Sequence, residues 1–211
     1  MAVQPFTAKE VQIFDIPGFA ERMAAIRAEI RPKVEALGDA LAPSLALVAR
    51  VEIFPHVARH ARRTVNPPDD TWVAFGPDRR GYKKAQHFKV AVSRHALRFL
   101  FEVGPEFAAK PAFARAWKRQ VPRLARTLSA APGLGWFKNE HDEEPAAELA
   151  DLDPTGWRAL GDELGRTRDG QLVPGRRVDA REAARWRGPE YEKTALDAFA
   201  ALGACFILAG Q

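Results

Sequence analysis

His56 and His60 stand four residues apart at the start of a run, HVARHARRTVNPPDDTWVAFGPDRRGYKKAQHF, that ends at Phe88. On a helix that spacing puts both rings on one face. Two imidazoles so placed can ligate one metal ion or act as acid and base on one substrate. The metal reading suits the surroundings poorly. A zinc peptidase helix has Glu directly after its first His, but here Val57 follows, and Arg59, Arg62 and Arg63 would repel a dication. As hydrogen-bond donors to a phosphate or carboxylate, the two histidines fit their neighbours better. No metal and no cofactor is expected.

The same run holds two basic clusters, Arg62 with Arg63 and Arg79, Arg80, Lys83 and Lys84, separated by one turn and one strand. Guanidinium groups bind phosphate oxygens in bidentate fashion, and lysines add point charge. Gly81 permits close approach of backbone to a ligand, Asn66 adds a donor, and Trp72 and Tyr82 offer rings for stacking beside a cationic surface. From Arg50 to Arg98 there are eleven Lys and Arg against four acids, a balance of +7. The whole chain carries +5, so the rest sums to −2. Charge so unevenly placed marks where an anionic partner would bind. The competing explanation is internal neutralisation by residues 139–163, which hold nine acids and one base, Arg158.

Other catalytic signatures are absent from the sequence. It has no G-x-x-x-x-G-K-[ST] loop, no G-x-G-x-x-G after a strand and no G-x-S-x-G elbow. His141, within NEHDEE, is a candidate general acid oriented by a carboxylate, and His87 is a candidate partner. No RNP-like aromatic pair, helix-turn-helix spacing or zinc finger accompanies the basic run, so its nucleic-acid signal is purely electrostatic.

These groups have to be positioned by the elements around them. Phe19, Met23, Ile26, Ile30, Val34, Leu37, Leu41 and Leu45 recur at helical spacing and predict a helix over about 17–48, bent or divided at Pro32. Thr7 and Glu10 form a capping-box pattern. A short helix is expected over 56–63, then a turn at Asn66-Pro67-Pro68-Asp69-Asp70. Strands are expected over 72–75, 87–92 and 97–103, joined as an antiparallel meander by a basic loop and a tight turn. A helix over 105–129 follows, with Phe113, Trp117, Val121 and Leu124 on one stripe. Strands near 134–138 and 172–178 and helices after the N-caps Asp153 and Asp179 come next. An apolar helix over 191–208 closes the chain. The pattern is α+β, a single antiparallel sheet covered by helices in one domain spanning 1–211.

At 211 residues, 46% hydrophobic and 28% charged, the composition is that of a globular protein with one substantial core. No apolar stretch approaches the roughly 20 residues of a membrane span, and MAVQPFTAKE lacks the pattern of a secretory leader. A single cysteine, Cys205 in LGACFILAG, excludes a disulfide framework. A cytoplasmic, membrane-free protein is the expectation.

The 56–88 run resembles the signature of the YktB-like family of bacterial proteins, whose function is unassigned. The opening IFDIPGFAERMAAIRAEIRPKVEALGDALAP is similar to that family's N-terminal segment, so the resemblance is specific over about the first 90 residues. His56, His60, Arg62, Arg63, Asn66, Trp72, Arg80, Gly81, Tyr82, Lys83, Lys84 and His87 match its pattern. GWFKNEHDEEP resembles the family's strand and aspartate–histidine turn, with Glu140 in the aspartate position and acids where a lysine is expected. The resemblance implies a single α+β domain in a cytoplasmic bacterial protein.

Two functions follow as expectations. The first is binding of a polyanion, nucleic acid or a nucleotide-like phosphate, with Arg62, Arg63, Arg80, Lys83 and Lys84 on phosphates, Trp72 and Tyr82 stacking, and His56, His60 and Asn66 donating. The second is an enzyme on a small phosphorylated or carboxylated substrate, with acid–base chemistry from His56, His60, His87 or His141 and arginines as an anion clamp. A third, an interaction module built on Phe199, Leu202, Phe206 and Ile207, competes with simple core packing of the same residues.

Overall fold

The computed structural model describes residues 3–61 and 63–210. Arg62 therefore lies outside the described residues. Seven strands form one sheet: β1 Phe54–Val57, β2 Asp70–Gly76, β3 His87–Ser93, β4 Ala96–Glu102, β5 Leu134–Phe137, β6 Ala147–Glu148 and β7 Val173–Asp179. Their order is β1-β2-β3-β4-β7-β5-β6, and every pairing is antiparallel. Strands β2, β3 and β4 are the expected three-stranded meander, and β1 adds an unexpected edge strand. The last strand in sequence, β7, enters between β4 and β5.

Among the described residues, seven α-helices accompany the sheet: α1 Ala8–Val11, α2 Phe19–Ala25, α3 Arg31–Ala49, α4 Lys110–Ser129, α5 Pro154–Arg166, α6 Ala180–Ala183 and α7 Gly188–Phe206. The Thr7–Glu10 capping box is present at α1. Between α2 and α3 the helix widens into a π turn at Ile26–Ile30, with Arg31 N–H bonded to Ile26 O. This widening is the bend expected at Pro32, since a proline in an α-helix has no N–H and crowds the carbonyl four residues back. The α4 helix starts later than expected because residues 104–109 form turns, and Pro111 falls in its first turn.

Strand alternation sorts the sheet residues onto two faces. Val73 and Phe75, Phe88, Val90 and Val92, and Leu97, Phe99 and Phe101 point into one large core with the buried sides of α3, α4 and α7. Phe199, Phe206 and Cys205 lie in this core, so the apolar C-terminal helix is packed inward. The Trp117 indole donates to Trp157 O at 2.8 Å and ties α4 to α5.

Among the described residues of 56–63, the expected helix is not formed. Phe54–Val57 pairs with β2 instead, and the chain then runs as a loop in which His60 adopts φ +49°. The sheet hydrogen bonds outweigh the local helical pattern, and Pro55, which has no N–H to donate, is tolerated because β1 is an edge strand. The four-residue spacing of His56 and His60 thus spans a strand-to-loop change, and the helical reason for pairing them fails.

Candidate functional site

The second face of the sheet is built from chemistry-bearing residues. The register sets Asp70 opposite Ser93, Trp72 opposite Ala91, Ala91 opposite Arg98, and His87 opposite Glu102. Trp72, His87, Lys89, Arg98 and Glu102 therefore share this face with Asp70. It would be a solvated face if nothing covered it, but Lys89 and Arg98 are 0% exposed. Three loops close over it: 58–69, 77–86 and 138–146.

Each loop is held by a specific bond. From the second loop, Tyr82 accepts the Trp72 indole N–H at 2.9 Å. Gly76, which ends β2, makes this possible, because a Cβ there would lie 2.9 Å from Tyr82 Cβ. From the first loop, His60 Nε2 meets Thr71 Oγ1 at 3.1 Å, and its ring packs edge-on against Trp72 at 5.2 Å. The third loop is held by Arg98, whose guanidinium donates to Glu140 O at 3.0 Å and Asp142 O at 2.6 Å. The same guanidinium donates to Asp70 Oδ2 at 2.6 Å.

A network of buried charges results. The Lys89 ammonium bonds Glu140 and sits 4.3 Å from the centre of the Trp72 ring. His87 Nε2 lies 3.0 Å from Glu102 Oε2, and its Nδ1 faces Ala85 O at 3.0 Å. His141 Nδ1 lies 3.1 and 3.2 Å from the two oxygens of Asp70. The side chain of Asp70 is buried, whereas His141 is 42% exposed and packs on Trp72 at 5.6 Å. The dyad therefore has a buried, anchored carboxylate and a solvent-facing imidazole.

The charges tune one another. Burial would raise the Asp70 carboxyl, but the His141 hydrogen bond and the Lys89 and Arg98 charges outweigh it and hold the group well below the usual carboxylate range. Burial likewise opposes ionisation of Glu102, yet His87, Lys89 and Glu140 bring it down to about 2. His60 moves the other way: burial lowers it to about 4, aided by Arg63, His141 and Lys89 and only partly offset by Asp70. It is neutral at pH 7. Burial also pushes the Tyr82 hydroxyl above its ordinary value.

The site thus unites five of the residues singled out from sequence: His60, Trp72, Tyr82, His87 and His141. His56 stands beside them, its ring 5.7 Å from Tyr82 and its Nε2 2.9 Å from Asp78 O. The remaining basic residues lie elsewhere. Arg80, Lys83 and Lys84 are exposed on the 79–84 loop with Gly81, and Arg63 and Asn66 are exposed on the 58–69 loop. Two open grooves flank the 79–84 loop and share Arg80, Gly81 and Tyr82. One, of about 830 Å³, adds Arg31, Glu35, His56, Arg59 and Arg79. The other, of about 530 Å³, adds Asp78, Lys83, Lys84 and Glu106. Arg79 pairs with Glu52 and Lys83 with Glu106, while Arg59, Arg80 and Lys84 have no carboxylate partner among the described residues.

The acidic 139–163 segment does meet basic residues of the 50–98 region, but these are the strand residues Lys89 and Arg98. Sequence reasoning overlooked Asp70, Lys89, Arg98, Glu102 and Glu140. For Lys89, Arg98 and Glu102 the one signal is that the outward positions of β3 and β4 mix charges with the apolar Ala91 and Leu100; Asp70 and Glu140 lie outside those strands and have none. Among the described residues, no group of three or more His, Cys, Asp or Glu side chains is placed to hold a metal ion, and no helix is long and apolar enough to cross a membrane.

A seven-stranded antiparallel sheet with a helical core on one face and a loop-covered ionic network on the other defines an α+β protein with an enclosed polar site. The domain of unknown function DUF1054 matches residues 6–206, and the chain belongs to that family. It is similar to a UPF0637 protein of Bacillus velezensis, 30% identical over 99% of this chain and 98% of the relative. It is also similar to UPF0637 proteins of Bacillus mycoides, 48% identical over 44% of each chain, and of Staphylococcus carnosus, 40% identical over 59% of this chain and 61% of the relative.

Proposed function

We propose that the protein binds a phosphate-bearing ligand of nucleotide size in the grooves flanking the 79–84 loop. The observation that carries this reading is the unpaired cationic lining. Arg59 and Arg80 face one concavity without a carboxylate partner, and Arg80 and Lys84 face the other. Arginine supplies the bidentate geometry a phosphate needs, and His56 adds a hydrogen-bonding ring. Tyr82, fixed by Trp72, offers a ring edge common to both grooves. Two concave grooves parted by a loop suit a compact ligand better than a long strand, which needs a continuous track. Calorimetric titration with inorganic phosphate, AMP, ADP, ATP and short oligonucleotides at low and physiological salt tests the reading. Saturable binding of a mononucleotide, lost in Arg59→Ala/Arg80→Ala, supports it. Failure of every phosphate compound to bind at low salt, or unchanged binding in that variant, refutes it.

A second reading rests on the Asp70–His141 dyad. A buried carboxylate that orients an accessible imidazole is the arrangement of a general base, and neutral His60 shares the Trp72 surface with it. This reading predicts turnover of chromogenic phosphate mono- or diesters, with equal losses in Asp70→Asn and His141→Ala. Turnover unaffected by His141→Ala would refute it.

A further inference from the structure

The outer face of α4 has no part in the site above. Over its 20 residues, KPAFARAWKRQVPRLARTLS, the helix has six cationic side chains and no acid. Two of the six have internal partners: Lys110 donates to the carbonyls of Thr167, Arg168 and Gly170, and Lys118 pairs with Asp162 of α5. The other four, Arg115, Arg119, Arg123 and Arg126, are exposed and make no ion pair among the described residues. At about 100° per residue they fall in a stripe roughly 80° wide. That stripe lies nearly opposite Phe113, Trp117, Val121, Leu124 and Leu128, which are buried in the core. Its members are spaced three and four apart, where like charges on a helix repel. Packing therefore does not account for the stripe, and helix stability argues against it.

We propose that this face of α4 is a docking surface for the phosphate backbone of duplex nucleic acid. Four guanidinium groups extend along about 16 Å of helix, with Pro122 between Arg119 and Arg123, a length over which a duplex presents on the order of ten phosphate charges. Each can take a phosphate in bidentate geometry. The partner is a duplex because single-strand surfaces add rings for the bases, and the aromatics of this region, Phe107, Phe113 and Trp117, are all buried. An anionic membrane is disfavoured because a membrane-surface helix sets apolar side chains beside its cations. The exposed large apolar residues, Leu47, Val51 and Val65, all lie on other elements. Contacts confined to phosphates read no base sequence.

The test is fluorescence anisotropy with the full chain and a labelled 20-base-pair duplex of arbitrary sequence, from 50 to 200 mM salt. Its single strand and phosphatidylserine vesicles serve as competitors. The expected result is salt-sensitive duplex binding that weakens at least tenfold in Arg115→Gln/Arg119→Gln/Arg123→Gln/Arg126→Gln. The log–log salt slope should shrink by about 0.9 for each phosphate contact removed. The groove variant Arg59→Ala/Arg80→Ala should bind duplex like the parent, which separates this proposal from the nucleotide reading. A melting temperature at or slightly above the parent's shows that the fourfold variant folds, as expected when repelling exposed charges are removed. No duplex binding at 50 mM salt, preference for the single strand or the vesicles, or loss in the groove variant alone would overturn the proposal.

Discussion

Arg98→Met is the most informative single change to this protein. The guanidinium is fully buried and makes three short contacts, to Asp70 Oδ2, Glu140 O and Asp142 O. Methionine keeps much of the volume and removes all three. The Asp70 carboxylate then stays buried with only His141 and Lys89 to offset it, and two carbonyls of the 138–146 loop lose their donor. Removing one partner of a buried ion pair costs about 3–5 kcal/mol. For a chain of this length that corresponds to a fall in melting temperature of about 6–20 °C. Urea unfolding at pH 7 of the parent, Arg98→Met, Asp70→Asn and the double variant measures it. The double variant should be less destabilised than the sum of the singles, because a neutral Asn no longer needs the cation. The acid limb supplies a check on sign. The Asp70 pKa is depressed in the folded state, so its contribution is complete above the unfolded carboxylate value near 4 and is lost as the pH falls toward the folded value. Asp70→Asn should flatten stability over that window. A cost below about 1 kcal/mol for Arg98→Met, or strictly additive singles, would refute the view that this ionic centre holds the third loop in place.

Other consequences are open to simpler measurements. His60 is held to about 4 by burial, so folding is disfavoured by proton uptake on the unfolded chain as pH falls from about 6.5 toward 4; His60→Gln should remove part of the stability loss in that interval, and an NMR titration placing His60 above 6 would contradict the burial argument. Tyr82→Phe removes the acceptor of the Trp72 indole and should cost about 0.5–1.5 kcal/mol, read by chemical denaturation with a change in tryptophan emission. Gly76→Val puts side-chain atoms where Tyr82 Cβ now packs; it should displace the 77–86 loop, seen as faster amide exchange at residues 79–84, and exchange like the parent's would refute that packing role. Glu102→Gln weakens the contact with His87 inside the core and should remove Glu102's share of the stability lost as the pH falls from about 4.5 toward its folded value near 2; an acid limb identical to the parent's in urea unfolding would contradict that share.

The sequence exposes the helical half of this fold well and the site only in part. Apolar residues repeating at helical spacing mark α3, α4 and α7, and alternation marks β2, β3 and β4, because one face of each element meets the main core. The 54–63 segment defeats such reading: its histidine spacing is helical, but pairing with β2 is a tertiary contact, and no local rule predicts it. The same limit hides the network. Lys89 and Arg98 look like ordinary outward residues of half-exposed strands, and only the fold of the 58–69, 77–86 and 138–146 loops turns that face into an interior. His87 and His141 are recognisable as reactive types, yet their partners Glu102 and Asp70 lie 15 and 71 residues away.

The insertion of β7 between β4 and β5 has a consequence for how the chain is made. Until residues 173–179 have left the ribosome, β4 has one unpaired side and β5 lacks its connection to the meander. The nascent chain passes through a stage in which the first four strands present an open, strongly apolar edge, the kind of edge that invites pairing with another molecule. Such a topology delays closure of the sheet until most of the protein exists, and the enclosed charges of Lys89 and Arg98 stay wet until the 138–146 loop arrives. Assembly is therefore a late, long-range event, and the risk of aggregation is concentrated in the interval before β7 is synthesised.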